Sequence, residues 1–152
     1  MRVKITGARK ETFWYAKLIG QIFDVTVNSA SSAGMEGQLE KYAIMVYNPR
    51  RDDWDSSWEQ TIDNPNFVEQ VMWELTALKR SDYIIMYFDP DTKSPISLLE
   101  LGIYAHSNKL IVVCPDGFWR KGNVDIVCRE YGIRTAGDLV EAIAILKERL
   151  SL

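Results

Sequence analysis

The sequence predicts an α/β fold: a flavodoxin- or Rossmann-like parallel sheet with helices on both faces. Three observations carry this. Tyr83-Ile-Ile-Met-Tyr-Phe88 and Leu110-Ile-Val-Val-Cys114 are uncharged, β-branched and aromatic runs, which suit strands buried on both faces. Amphipathic segments alternate with them, as crossover helices must in a parallel sheet. The run Asp89-Pro-Asp-Thr-Lys-Ser-Pro95 is made of turn formers and polar groups, and it joins the first of these strands to a helix. Such a loop belongs at the carboxyl edge of the sheet, where open α/β sheets bind ligands.

Taken in order, Arg2-Val-Lys-Ile-Thr6 is a short strand ending at Gly7. Glu11 to Phe23 supports two readings. Trp14, Tyr15, Leu18, Ile19, Ile22 and Phe23 share one helical stripe. Yet Phe13-Trp-Tyr-Ala16 and Ile22-Phe-Asp-Val-Thr-Val27 are rich in strand formers, and Gly20 weakens a helix. The pattern from Trp14 to Val25 is similar to a small β-barrel segment common in phage-borne proteins. On that reading residues 1–45 form a small β-rich unit and the usual first strand is replaced. Asn28 to Gly37 is rich in Ser, Ala and Gly and reads as a flexible loop.

Tyr42-Ala-Ile-Met-Val-Tyr47 is the next strand, ended by Asn48-Pro49. Arg50, Arg51, Asp52, Asp53, Trp54 and Asp55 follow, a stretch that also suits a solvated loop with internal Arg–Asp pairs. Phe67 to Lys79 is an amphipathic helix with Phe67, Val71, Leu75 and Leu78 as its stripe and Glu74 beside it. After the Asp89–Pro95 loop a helix continues to about Asn108. Its start is open between Ser94, followed by Pro95 at the first helical position, and Ser97, whose spacing to Glu100 fits a capping box. Val124 to Tyr131 is helical and stopped by Gly132. Ile133-Arg134 adds a short edge strand, and Thr135 caps a last helix striped by Leu139, Ile143, Leu146 and Leu150.

At 152 residues the chain is expected to form a single domain with a full core. A net charge of −3 argues against a nucleic-acid polymer as partner. Cys114 and Cys128 read as buried free thiols in a reducing compartment, the cytoplasm. One histidine and two scattered cysteines do not make a standard zinc site. Neither a membrane-spanning run nor a signal peptide is expected.

Glu100 is the one carboxylate within the apolar run Leu98-Leu-Glu-Leu101. Pro95-Ile-Ser-Leu-Leu-Glu-Leu-Gly102, with Asn48-Pro-Arg-Arg-Asp-Asp-Trp54 before it, resembles the nucleoside 2-deoxyribosyltransferase superfamily, in particular the branch with an Asn-Pro-Arg-Arg loop. The likeness spans residues 42–135. It implies that Glu100 attacks the anomeric carbon of a nucleoside and forms a covalent glycosyl-enzyme, which a second base or water resolves. A carboxylate is also the right partner for a positive, oxocarbenium-like transition state. Asp89, Asp91 and Glu74 are the candidate proton donors to the leaving base, and burial near aromatic rings would raise such a donor's pKa. Glu74 stands eight positions before Asp82, where the superfamily carries an acidic residue that contacts substrate.

The resemblance also places Ser94 six residues before the nucleophile, where transferases of free nucleosides carry Asp and relatives that hydrolyse 5′-monophosphates carry Ser. Ser94, Ser97 and the helix start would then hold a phosphate. Arg50, Arg51 and Trp54 would form a wall that holds an anion and stacks a base. Gly7 is the candidate for the superfamily's N-terminal glycine loop. Asn123 matches a position that reaches into a neighbouring subunit, which implies a homodimer or larger homo-oligomer. No metal or organic cofactor is implied. Two functions follow for comparison: a transferase or hydrolase acting on a nucleoside or nucleotide, and a catalytically silent nucleotide-binding or interaction module.

Overall fold

The apolar run that ends at Phe88 is the middle of the sheet. In the computed structural model, which describes residues 2–6, 35–39, 44–48 and 57–151, Ile84, Ile85 and Met86 are each at most 1% exposed. Six strands appear among the described residues: β1 (Arg2–Thr6), β2 (Met35–Leu39), β3 (Ile44–Asn48), β4 (Tyr83–Tyr87), β5 (Leu110–Val113) and β6 (Arg134–Ala136). Four helices accompany them: α1 (Pro65–Arg80), α2 (Pro95–Tyr104), α3 (Lys121–Glu130) and α4 (Leu139–Arg149). The sheet order is β2-β3-β1-β4-β5-β6. All neighbours are parallel except the edge pair β2 and β3, where Met35 stands opposite Asn48.

Counted in chain order, the five parallel strands run 2-1-3-4-5, the flavodoxin-like arrangement. The expectation that the first strand is replaced is therefore corrected: β1 pairs with β3 on one side and β4 on the other. The expected loop over 28–37 is corrected at its end, because Met35 to Gly37 belong to β2. Segment 11–23 lies outside the described residues.

Alternation along β4 divides the core in two. Ile84, Met86 and Phe88 join Leu78 of α1, Leu101 of α2, and Val124 and Cys128 of α3 in one cluster. Helices α1, α2 and α3 thus cover one face. Helix α4, with Leu139, Ala142, Ile143, Ile145 and Leu146 buried, packs on β4, β5 and β6. Each fully buried aliphatic or Phe side chain contributes roughly 1.5–3 kcal/mol of transfer free energy.

Helix boundaries follow local chemistry. Helix α1 starts at Pro65 because the Asn64 side chain accepts from the Asn66 and Phe67 amides at 3.1 and 3.4 Å. Its buried face is rotated from the expected stripe. Gln70, Ala77 and Leu78 are buried, whereas Leu75 is 38% exposed. Helix α2 begins at Pro95 and ends at Tyr104, short of Asn108, whose φ is +59°. Helix α3 starts earlier than expected, at Lys121, and ends in a Schellman motif around Gly132 (φ +63°). There the Ile133 amide donates to the Cys128 carbonyl at 2.8 Å and the Gly132 amide to the Arg129 carbonyl at 3.3 Å. Thr135 does not cap α4: it is drawn into β6 opposite Val112, and Asp138 caps instead, accepting from the Glu141 amide at 2.8 Å.

Candidate active site

The connection leaving β1 turns back towards β3, while that leaving β4 goes on to β5. The switch point of the sheet therefore lies between the carboxyl ends of β1 and β4, where Thr6 is level with Met86. The chain leaves β4 there through Phe88 and Asp89, both at most 1% exposed. The predicted rim loop is thus at the crevice that this sheet order creates.

Asp89 builds the loop. Its Oδ1 accepts from the Asp91 amide at 3.0 Å, an Asx turn, and its carbonyl accepts from the Thr92 amide, also at 3.0 Å. Asp91 is exposed beside it. The Thr92 hydroxyl donates to the Asp89 carbonyl at 3.0 Å and lies 2.6 Å from the Ser94 hydroxyl. A hydroxyl has one proton. With Thr92 donating to Asp89, Ser94 is the donor in the shorter contact, and its lone pairs remain to face outward.

Ser94 is the N-cap residue of α2, in the left-handed region at φ 43° and ψ 49°, and its side chain makes no cap hydrogen bond. Pro95 takes the first helical position, which its fixed φ suits. Ser97 is then the third residue inside the helix and Glu100 the sixth. This corrects the capping-box reading: the helix starts one turn before Ser97, so Glu100 is not the reciprocal capping group. Glu100 is 6% exposed and Ser97 9%. Nearby on α2, Tyr104 has its pKa raised, first by burial and then by the Glu100 carboxylate.

The loop is held from the β5–α3 connection as well. The indole of Trp119 donates to the Lys93 carbonyl at 3.0 Å, and the Arg120 guanidinium sits 4.4 Å over the Trp119 ring. Trp119 is 51% exposed, while Phe118 is buried and packs on Phe88 at 5.0 Å. Sequence reasoning did not single out Trp119 as part of the site. Its signal was a large aromatic in a connection at the carboxyl edge.

Glu74 lies half-buried on α1 and accepts from Gln70 Nε2 at 2.7 Å. Gln70 is only 4% exposed. The helix thus turns a hydrogen-bonded polar pair towards the sheet, beside Trp73, whose ring meets Tyr47 of β3 edge-on at 6.2 Å. Glu74 belongs to this inward face and not to its flank. Asn123 is an exposed residue in the first turn of α3. Gly7, Arg50, Arg51 and Trp54 lie outside the described residues, on segments that follow β1 and β3. Further along the carboxyl edge, a separate cavity of about 380 Å³ is lined by Cys114, Asp116, Lys121, Asp125, Thr135 and Glu141 among others. It contains no predicted site residue. Cys114 and Cys128 are free thiols, both pushed up to about 11, mainly by burial.

Fold and site together define a flavodoxin-like α/β protein with a polar loop at its switch point and a buried carboxylate on the helix that follows that loop. The chain belongs to the nucleoside 2-deoxyribosyltransferase-like family, whose model matches residues 6–118 and so takes in β4, its loop and Glu100. A conserved protein from Enterococcus faecalis V583, known from a crystal structure, has the same fold. It superposes with a TM-score of 0.62 over 97% of this chain and 98% of its own, at 12% identity. No curated protein matches the chain. Among the described residues no helix is long and apolar enough to cross a membrane.

Proposed function

We propose that the protein breaks the N-glycosidic bond of a nucleoside or nucleoside 5′-monophosphate, with Glu100 as nucleophile. The observation that supports this best is the placement of Glu100. It is a carboxylate at 6% exposure in a helix with no other charged residue, directly behind the loop at the switch point, and it is not at the helix's N-cap. Burying a carboxylate is costly, and a fold gains little by it unless the charge is used.

In the proposed step a Glu100 oxygen bonds to the anomeric carbon as the carbon–nitrogen bond breaks. The bond's electron pair leaves with the base, which takes a proton from Asp91 or Glu74. The resulting ester is opened by the nitrogen of a second base, giving transfer, or by water, giving hydrolysis. Asp89 acts by shaping the loop. Ser94 and Ser97 receive the 5′ end of the sugar. Phosphate binding there requires Ser94 to turn its proton away from Thr92, because a phosphate oxygen accepts hydrogen bonds. Arg50, Arg51, Trp54 and Gly7 are assigned to the opposite wall on the resemblance alone, as is the branch with the Asn-Pro-Arg-Arg loop. The protein is proposed to act in the cytoplasm without a cofactor.

Incubation with 2′-deoxynucleosides and their 5′-monophosphates tests the reading. Base release is followed by chromatography, and the intact protein is weighed by mass spectrometry. Free base together with a glycosyl adduct mapped to the peptide containing Glu100 is the expected result. Saturable nucleotide binding with neither base release nor adduct would establish the silent binding module instead.

A further inference from the structure

We propose that Thr92 sets the selectivity of the site at the 5′ end of the sugar: by taking the proton of Ser94 it leaves that hydroxyl an acceptor, which favours a free 5′-hydroxyl over a 5′-phosphate. This role rests on the N-glycosidic reading above, within which it chooses between the two end groups. Serine at position 94 is not by itself a reader of phosphate, because its partner decides which way its proton points.

Only one direction of the relay keeps every oxygen bonded. The Asp89 carbonyl has no proton to give. It accepts from the Thr92 amide at 3.0 Å and lies 3.0 Å from the Thr92 hydroxyl as well. Were that hydroxyl to point at Ser94, two acceptor oxygens would face each other at 3.0 Å. Its single proton therefore goes to Asp89, and its lone pair meets Ser94. The 2.6 Å between the two hydroxyls then needs the Ser94 proton. That length is short for a pair of hydroxyls, so the proton is firmly engaged.

Both ends of the relay are held. Asp89 is 1% exposed, and its Oδ1 accepts from the Asp91 amide at 3.0 Å, so the turn that carries the carbonyl is fixed. Ser94 sits at φ 43° and makes no side-chain cap hydrogen bond, so the helix does not compete for its oxygen. Among the described residues its side chain has Thr92 as partner, and what it turns outward is lone pairs. A free 5′-hydroxyl brings a proton to them. A phosphate dianion brings only acceptors and would have to break the relay to gain a hydrogen bond from Ser94. The amides at the start of α2 can donate to either group, so Ser94 is where the two end groups differ in kind.

Thr92→Val keeps the branched shape and removes the hydroxyl, which frees the Ser94 proton. Matched pairs of 2′-deoxynucleosides and their 5′-monophosphates are compared on the full chain, by kcat/KM for base release and by calorimetric titration for binding. Thr92→Val is expected to move the ratio of the two substrates at least about tenfold towards the monophosphate, chiefly through KM. Thr92→Ser should restore the wild-type ratio. In a Ser94→Ala background Thr92→Val should leave the ratio unmoved, because the effect passes through Ser94. A loop merely loosened by the change would weaken both substrates alike. An unchanged ratio in Thr92→Val overturns the proposal, as does a Thr92→Ser that behaves like Thr92→Val, a shift that persists without Ser94, or failure of both ligands to bind. Binding separates this role from the reaction itself. A shifted binding ratio with no base release would sink the N-glycosidic reading and leave Thr92 as the selector, whereas turnover at an unmoved ratio would do the reverse.

Discussion

Replacing Glu100 by Gln keeps the shape of the side chain and removes its charge, and the two roles open to this residue then predict different balances of stability and turnover. Losing a capping group costs about 0.5–2 kcal/mol. For a chain of this size each kcal/mol moves Tm by roughly 2–4 °C, so a capping role predicts a fall of about 1–8 °C. The structure removes that role, since Ser94 is the N-cap and Glu100 lies six residues on. Gln fills the same space at this 6% exposed position and can still accept and donate hydrogen bonds, so the fold is expected to persist with Tm within a few degrees of the wild type. Turnover should fall at least roughly 1,000-fold, the scale on which nucleophile deletions act. Tyr104 supplies an independent readout. Burial and then the Glu100 carboxylate raise its pKa, so in Glu100→Gln its phenol should titrate at lower pH than in the wild type while still above the ordinary value. Calorimetry, base release and an alkaline absorbance titration measure the three quantities. A Tm several degrees lower with turnover intact would refute the reasoning.

Ser94→Asp is expected to shift preference by at least about tenfold from 5′-monophosphates to unphosphorylated nucleosides, because a carboxylate repels phosphate and accepts from a sugar hydroxyl. If the wild type already uses the unphosphorylated compound as well or better, Ser94 does not read phosphate. Trp119→Phe removes the indole bond to Lys93 and should cost about 0.5–1.5 kcal/mol while raising KM more than it lowers kcat; an unchanged KM would show that the loop keeps its shape without it. Cys114 and Cys128 are pushed up to about 11 by burial, so above pH 9 the unfolded chain loses thiol protons that the folded chain keeps. Their contribution is fully present below pH 9 and is lost as pH rises towards 11. The slope is at most about 1.4 kcal/mol per pH unit for Cys128 and less for the more exposed Cys114. Urea midpoints at about pH 8 and pH 10.5 that are the same in wild type and Cys128→Ala would disprove this.

Most of the sheet could be read from the sequence because its central strands carry their own signal. β4 and β5 are apolar on every residue that faces a helical layer, and a strand buried on both faces needs no partner to be recognised. β1 was recognised as a strand, but its central place was not, because pairing with β3 and β4 is set by residues far along the chain. β2 was hidden for a related reason: Met35-Glu-Gly-Gln-Leu39 has little strand propensity and takes its form from hydrogen bonds to β3. The start of α2 was ambiguous because two serines stood before apolar runs, and the fixed φ of Pro95 favoured the earlier. The face of α1 was misread by counting apolar residues alone. Gln70 is buried and bonds the half-buried Glu74, so the helix turns that polar side inward and leaves Leu75 38% exposed. At the site, the apolar setting of Glu100 marked it out. The hydroxyl relay from Ser94 to Thr92 and the clamp by Trp119 depend on distances that no spacing rule contains.

The place of β1 in the sheet also sets an order of assembly. Val3 pairs with Tyr83, far along the chain, whereas Ile84 pairs with Leu110 across little more than one helix. Closing the shorter connection costs less chain entropy, so the β4–α2–β5 unit is the part able to form first. As the chain leaves the ribosome, β1 emerges early but has no β4 to pair with until that strand has followed it. The half of the crevice that carries Glu100 and the Asp89–Pro95 loop can therefore take shape from local contacts. The sheet around it is completed only when β1, made before both of its neighbours, is threaded between β3 and β4. A mutation that loosens β1 should thus act late in folding, by leaving β4 with an open edge able to recruit a strand from another molecule.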